Sequence, residues 1–295
     1  MSIKLAVIMA TTLAAGTDPD TNYLKAVQEY RTRLETTLKS DTGWLTVAGL
    51  HWLKPGENSF GSGPGNLFVL PAGKAPDQAG VFRFDGKKVS LKAAPGANLR
   101  VNGKPFTEGP IQNDANEATP DAITLGDLTI TVIDRGGKIG LRLRDKSSKY
   151  RKAFTHRDWY PVKAHYRING KFLPYPTPKK LRVPTVIEGV IEEHEAPGEI
   201  EFTLAGATHR AQVLKASPGQ LWLIFRDRTS GKKTYPAGRF LYGDLHADST
   251  VTFDFNKAYN PPCAFTPFAT CPLPPRQNSL KAAIEAGELT YHVEP

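Results

Sequence analysis

LTITVIDRGGKIGLRLR, residues 128–144, decides the fold class. Two runs, LTITVI (128–133) and IGLRLR (139–144), flank the pair Gly136-Gly137. In each, bulky apolar residues alternate with other side chains. Successive side chains of a strand point to opposite faces, so a period of two marks a strand with one buried face. Glycine supplies the positive φ that a tight hairpin turn needs. The stretch therefore predicts an antiparallel hairpin.

The same signature extends in both directions. Upstream lie FVL (68–70), VFRF (81–84), KVSL (88–91), NLRV (98–101) and AITL (122–125), separated by turns such as Asp85-Gly86, Asn102-Gly103 and Gly126-Asp127. A spacing of about ten residues per strand is that of an antiparallel sandwich. After Tyr150 a second series begins: EGVIEE (188–193), EIEFTL (199–204), HRAQVL (209–214), QLWLIFRD (220–227), RFLYGDL (239–245) and TVTFDF (250–255). KFLPYPTPKK (171–180) reads as a link or an edge, because its prolines exclude a central strand. The expected fold is mainly β. A sandwich over residues 44–148 is followed by a second antiparallel unit, a sandwich or a barrel, over 149–295. The 24 prolines and 26 glycines in 295 residues suit such a turn-rich chain.

Helix is expected in two places. Over 17–43, Asp18-Pro19 supplies a cap and a first-turn proline, and Leu24, Val27, Tyr30 or Arg31, Leu34 and Leu38 recur at helical spacing. A second helix is expected over 279–286, with Ser279 as its cap and Gly287 as its stop. Residues 1–16 have the form of a short secretory signal: Lys4, an apolar run from Leu5, then small residues. That run is too short to span a bilayer, so a secreted or periplasmic protein is expected, with a cytoplasmic one as the alternative.

The net charge of +9 favours anionic partners. Nucleic acid is not expected, since the basic residues are dispersed and no aromatic-interleaved stripe occurs. Chemistry concentrates instead in DFNKAYNPPCAFTPFATCPLPPRQN, residues 254–278, which holds six prolines and both cysteines. Proline fixes φ and donates no hydrogen bond, so the loop over 256–278 is stiff and non-repetitive. Cys263 and Cys271 are expected to form a disulfide in an oxidising compartment. Two free thiols are the alternative, and a metal site would need further ligands such as His246 or His292; no metal and no cofactor is expected.

A stiff loop presents its polar groups at little entropic cost. The predicted binding site for a small polar or anionic ligand is therefore Arg226, Arg239, Asp254, Asn256, Tyr259 and Asn260, in the second unit. No nucleophile elbow, zinc-binding His-Glu-x-x-His, P-loop or dinucleotide fingerprint occurs. An enzymatic alternative is a hydrolase using Asp254 with Glu285 or Glu288, or a free Cys263 with His51, His156, His165 or His246 as base. A third alternative is a structural or protein-interaction module.

Two resemblances add to this. FGSGPGNLFVLPAGKAPDQAGVFRF (60–84), with Asn102-Gly103, resembles the forkhead-associated domains, which bind phosphothreonine through loops at one end of a β-sandwich. That resemblance implies the sandwich over roughly 44–135. Ser62 stands where the family carries a phosphate-gripping arginine, and Asp77-Gln78-Ala79-Gly80 replaces its serine-x-x-histidine, so phosphopeptide chemistry is not carried over. GWLTVAGLHWLKPGENSFGS (43–62), LIFRDRTSGKKTYPAGRFLY (223–242) and the stretch from Asp254 to Glu288 resemble a prokaryotic family known as domain of unknown function 1684. That resemblance implies no activity.

Overall fold

The computed structural model describes residues 20–115 and 118–292. The secretory signal expected over 1–16, and the Asp18-Pro19 cap, lie outside them. Helix α1 (Thr21–Lys39) is capped by Asp20, whose carboxylate accepts from the Asn22 N–H. Its buried face carries Val27, Arg31 and Leu38. Among the described residues no helix is long and apolar enough to cross a membrane.

The first β unit contains β1 (Val47–Trp52), β2 (Gly56–Gly61), β3 (Phe68–Val69), β4 (Gly80–Phe84), β5 (Val89–Ala93), β6 (Arg100–Val101), β7 (Lys104–Pro105), β8 (Glu108–Ile111), β9 (Ile123–Leu125), β10 (Leu128–Arg135) and β11 (Lys138–Asp145). They form two sheets, in the orders β1-β11-β10-β9-β6-β7 and β3-β2-β4-β5-β8. All pairs are antiparallel except β2 with β3. Phe60, Phe82, Leu91, Ile130, Val132 and Leu141, drawn from both sheets, fill the core between them.

The β10–β11 hairpin forms in the expected register, from Leu128 opposite Asp145 to Arg135 opposite Lys138. Both turn residues have positive φ, 64° at Gly136 and 86° at Gly137, the requirement of a type I′ turn. On β11, Ile139, Leu141 and Leu143 enter the sandwich core. The alternate positions Arg142 and Arg144 therefore lie on the outer face of the sheet.

The second unit is a closed barrel of β12 (Arg167–Pro184), β13 (Ile191–Leu204), β14 (Ala207–Lys215), β15 (Gln220–Phe225), β16 (Arg239–Leu245) and β17 (Thr250–Asp254). The proline-bearing 171–180 segment belongs to β12 and is not a link. Its prolines are tolerated because β12 pairs with β17 only over Arg167–Lys171, and its ladder to β13 is irregular between Pro174 and Lys179. Leu223, Phe225, Leu241, Val251 and Phe253 line the barrel interior. Ile224 and Phe240 form a separate outer cluster with Ala269 and Cys271. The strands β15 and β16 are thus buried on both faces, which explains the near-continuous apolar run QLWLIF.

What covers that outer face is the proline–cysteine segment. It also reaches the sandwich: the Thr266 hydroxyl donates to the Val47 carbonyl at 2.9 Å, and Phe265 packs with Leu38 and Leu45. The helix expected over 279–286 is absent. Those residues run extended along the barrel, with Leu280 N–H donating to the Arg226 carbonyl and Arg228 N–H to the Ala282 carbonyl. Leu280, Ile284 and Ala286 are buried, the alternate-residue pattern of an extended chain and not of a helix.

Candidate functional site

The six residues expected to form a ligand site do not share one hollow. Arg239 is fully buried and ion-paired with Asp227 at 2.9 Å, and it also donates to the carbonyls of Ile284 and Ala286. Burial lowers its pKa, and Asp227 opposes that shift. Arg226 is exposed and donates to the Pro236 carbonyl. Asp254 accepts from the Tyr23 hydroxyl at 2.9 Å and from the Asn256 side chain at 3.0 Å. Asn256 also brackets Lys163, accepting from its N–H and donating to its carbonyl. Asp254 and Asn256 are thus a dock for helix α1, whose Arg31 adds a bond to the Asn256 carbonyl at 3.2 Å.

The physical reason lies in the prolines. A segment with six residues lacking N–H groups cannot pair its neighbours by ladder bonds, and asparagine amides take over. Asn278 bonds both backbone groups of Gln212 and the Ile224 carbonyl. The Asn260 amide donates to the Leu289 carbonyl at 2.7 Å.

The enzymatic pairings fare no better. Asp254 is buried against α1 while Glu285 is exposed, with no bond between them. Glu288 is buried in a two-pronged ion pair with Arg157, at 2.6 and 2.8 Å. Cys263 and Cys271 are both thiols in this structure, not a disulfide. They are adjacent, with the Cys263 N–H 3.3 Å from the Cys271 sulfur. The hydrogen bond from Cys271 lowers the pKa of Cys263, while burial pushes Cys271 up. Among the hydrogen bonds of the described residues, none joins either sulfur to a histidine. Nor is any group of three or more His, Cys, Asp or Glu placed there to hold a metal ion.

One open space lies at the seam between sandwich and barrel. A cavity of about 410 Å³ is lined from the sandwich side by Trp44, Asp134, Arg135, Gly136 and Arg142. The barrel and the proline–cysteine segment supply Glu192, Glu193, His194, Phe240, Thr270 and Cys271. Gly136 makes this approach feasible: a β-carbon there would stand 2.0 Å from the Ile191 carbonyl oxygen, at the start of β13.

Most charges on this wall are already engaged. Arg135 holds Asp114 through two bonds of 2.8 and 2.9 Å and reaches Glu192 at 3.4 Å. His194 adds a 3.2 Å contact to Glu192, and Lys180 pairs with Glu193 at 2.9 Å. Asp134 accepts from the Gly137 N–H.

Arg142 is the exception. It is 6% exposed, and among the described residues no carboxylate lies within ion-pair distance. Its guanidinium stacks on Trp44, 4.9 Å from the ring centre, and meets the Thr270 hydroxyl at 3.5 Å. Its Nε is buried without a partner. Burial, with the like charges of Arg135 and Arg144, lowers its pKa to about 10; it remains a cation at neutral pH. A buried, under-satisfied guanidinium is a receptor for an anion.

Sequence reading passed over Arg142. The signal was present in IGLRLR, where arginine occupies every other position of a strand whose intervening residues are core leucines. An outer face studded with arginine reads as solvated until the unit that covers it is known.

Beside this cavity lies a second, of about 360 Å³, sharing Trp44, Phe240 and Pro262 with it. Trp222, Tyr242, Tyr259, Asn260 and Phe265 line it, with Leu34, Thr37 and Leu38 of α1. Two of the six expected residues, Tyr259 and Asn260, therefore do border open space.

Comparison with known proteins gives the following. An uncharacterized protein of Haloarcula marismortui, solved by NMR, is 28% identical over 48% of this chain and 79% of that one, with a TM-score of 0.40. The forkhead-associated domain of FhaA, solved in complex with an intracellular domain, is 23% identical over 32% of this chain and 97% of that one, with a TM-score of 0.23. No curated protein matches. The family described as protein of unknown function (DUF1684) matches residues 152–289, the span that holds the barrel and the segment walling the cavity.

Proposed function

We propose that this protein binds a small organic or inorganic anion in the seam cavity, with Arg142 as the charged anchor. The site thus sits between the two units and not within the barrel alone. The observation that carries the reading is the Arg142 guanidinium: buried, cationic, stacked on Trp44 and without a carboxylate among the described residues. Burying an unpaired charge is costly, and the cost falls when an anion arrives. Cavities between packed units are favoured places for small ligands. The neighbouring carboxylates are each held by another group, so none of those described pairs directly with Arg142, and Asp114 offsets its charge only from a distance.

The test is a thermal-shift and titration series on the full chain with phosphate, sulfate and short carboxylates. At least one of these anions is expected to raise the melting temperature in a saturable way. Arg142→Met keeps the length and the apolar stem while removing the charge. It is expected to abolish the shift, with stability in the absence of anion within about 1 kcal/mol of the parent, because the charge it removes was unpaired. Undiminished binding by the variant, or a wild-type protein indifferent to every anion, would overturn the proposal.

A further inference from the structure

From the second cavity we infer that the ligand is an aromatic anion, its flat ring seated among Trp222, Tyr242, Tyr259 and Phe240 while its charged group reaches Arg142. This rests on the seam cavity being the anion site and adds the chemistry of the rest of the ligand.

Three observations carry it. The two hollows are neighbours, with Trp44, Phe240 and Pro262 common to both walls. A molecule anchored at one therefore extends naturally into the other. The second hollow is built from rings in a regular arrangement. Trp222 and Tyr242 are stacked at 6.2 Å and 19°, and Tyr242 and Tyr259 at 6.3 Å and 23°. Phe240 meets Trp222 and Tyr259 edge-on, at 87° and 89°. Such walls favour a planar guest over a flexible chain, because offset stacking and edge contacts add to burial.

The wall also carries two unsatisfied polar atoms. The Trp222 indole N–H and the Asn260 side-chain oxygen are buried without hydrogen-bond partners. The Asn260 amide nitrogen is already committed to the Leu289 carbonyl, which leaves its oxygen as an unpaired acceptor on a residue of this wall. Unpaired buried donors and acceptors are rare and costly. A ring bearing a polar edge would satisfy them, and an aliphatic tail would not. The guest is therefore a heteroaromatic acid and not a fatty acid.

Calorimetric titration of the full chain with four probes tests this: inorganic phosphate, hexanoate, 1-naphthaleneacetate and indole-3-propionate. Both ring acids are expected to bind at least tenfold more tightly than hexanoate. Indole-3-propionate, whose ring N–H can donate to Asn260, is expected to exceed 1-naphthaleneacetate several-fold. Trp222→Leu is expected to erase the preference for rings while leaving phosphate affinity, which needs only the Arg142 hollow, unchanged. Should that variant fail to fold, Tyr242→Leu, at a 43% exposed position, serves the same purpose. Equal affinity for hexanoate and the ring acids, or a ring preference that survives loss of Trp222 or Tyr242, overturns the aromatic assignment and leaves the anion site standing. Failure of all four probes to bind the parent protein overturns both.

Discussion

Two buried arginines, in two parts of the molecule, meet the same physical problem differently. Arg239, inside the barrel, is matched by Asp227 and by two backbone carbonyls. Arg142, at the seam, stacks on Trp44 and finds one distant hydroxyl. Both pay the desolvation of a cation; only the first is compensated from within the protein. The lesson is that burial alone does not distinguish structural from functional charge. The distinction lies in whether the partners are complete.

The largest effect is expected where they are complete. Arg239→Met leaves the Asp227 carboxylate buried and unpaired, and should cost about 3–5 kcal/mol. Replacing both members, Arg239→Met with Asp227→Leu, should recover most of that loss. Denaturant melts of the two variants and the parent check this. A single variant as stable as the parent would erase the contrast with Arg142, because Arg239 would then be as free of obligation as its counterpart.

A smaller effect, about 2 kcal/mol or more, is expected from Gly136→Ala. The added β-carbon meets the Ile191 carbonyl oxygen across the seam, and φ of 64° is unfavourable for alanine. Gly137→Ala is the informative control, because that position also has positive φ yet open space around it. Both variants strain the hairpin, while only Gly136→Ala presses the two units apart. If the seam cavity is the site, anion affinity should fall further in Gly136→Ala than in Gly137→Ala.

These tests also separate what the sequence could reveal from what it could not. The hairpin at 128–144 was legible because alternation and paired glycines are local signals. The two units were legible for the same reason, as was the helix at the start. The supposed last helix failed because Leu280, Ile284 and Ala286 fit a period of two as well as one of four, and the pairing of that stretch with Arg226 and Arg228 is non-local. The site was misread on a similar ground. Asn256 and Asn260 looked presentable in a rigid loop, but rigidity built from prolines leaves backbone groups unpaired; the Asn256 side chain and the Asn260 amide nitrogen are spent on them, and only the Asn260 oxygen is left over. Arg142 was passed over because its alternation in IGLRLR reads as a solvated face, and its burial is created by a segment more than a hundred residues away.

A third answer to buried charge is expected from His51, and it carries the smallest effect. Its ring stacks on Phe68 at 5.3 Å and 14°, and its Nε2 is buried without a partner. Burial, helped by Lys54, lowers its pKa below 6.5. Where the two arginines keep their charge, this histidine gives up its proton. The unfolded chain therefore takes up a proton near pH 6.5 before the folded chain does. Its stabilising contribution is complete above pH 6.5 and is lost progressively as pH falls from there toward the lower folded-state value. Urea melts between pH 7.5 and 5.0 should show the parent losing more stability on acidification than His51→Phe, by a slope of less than one proton. Parallel slopes would mean that His51 is protonated in place, and the sandwich would then hold an unpaired cation much as the seam does.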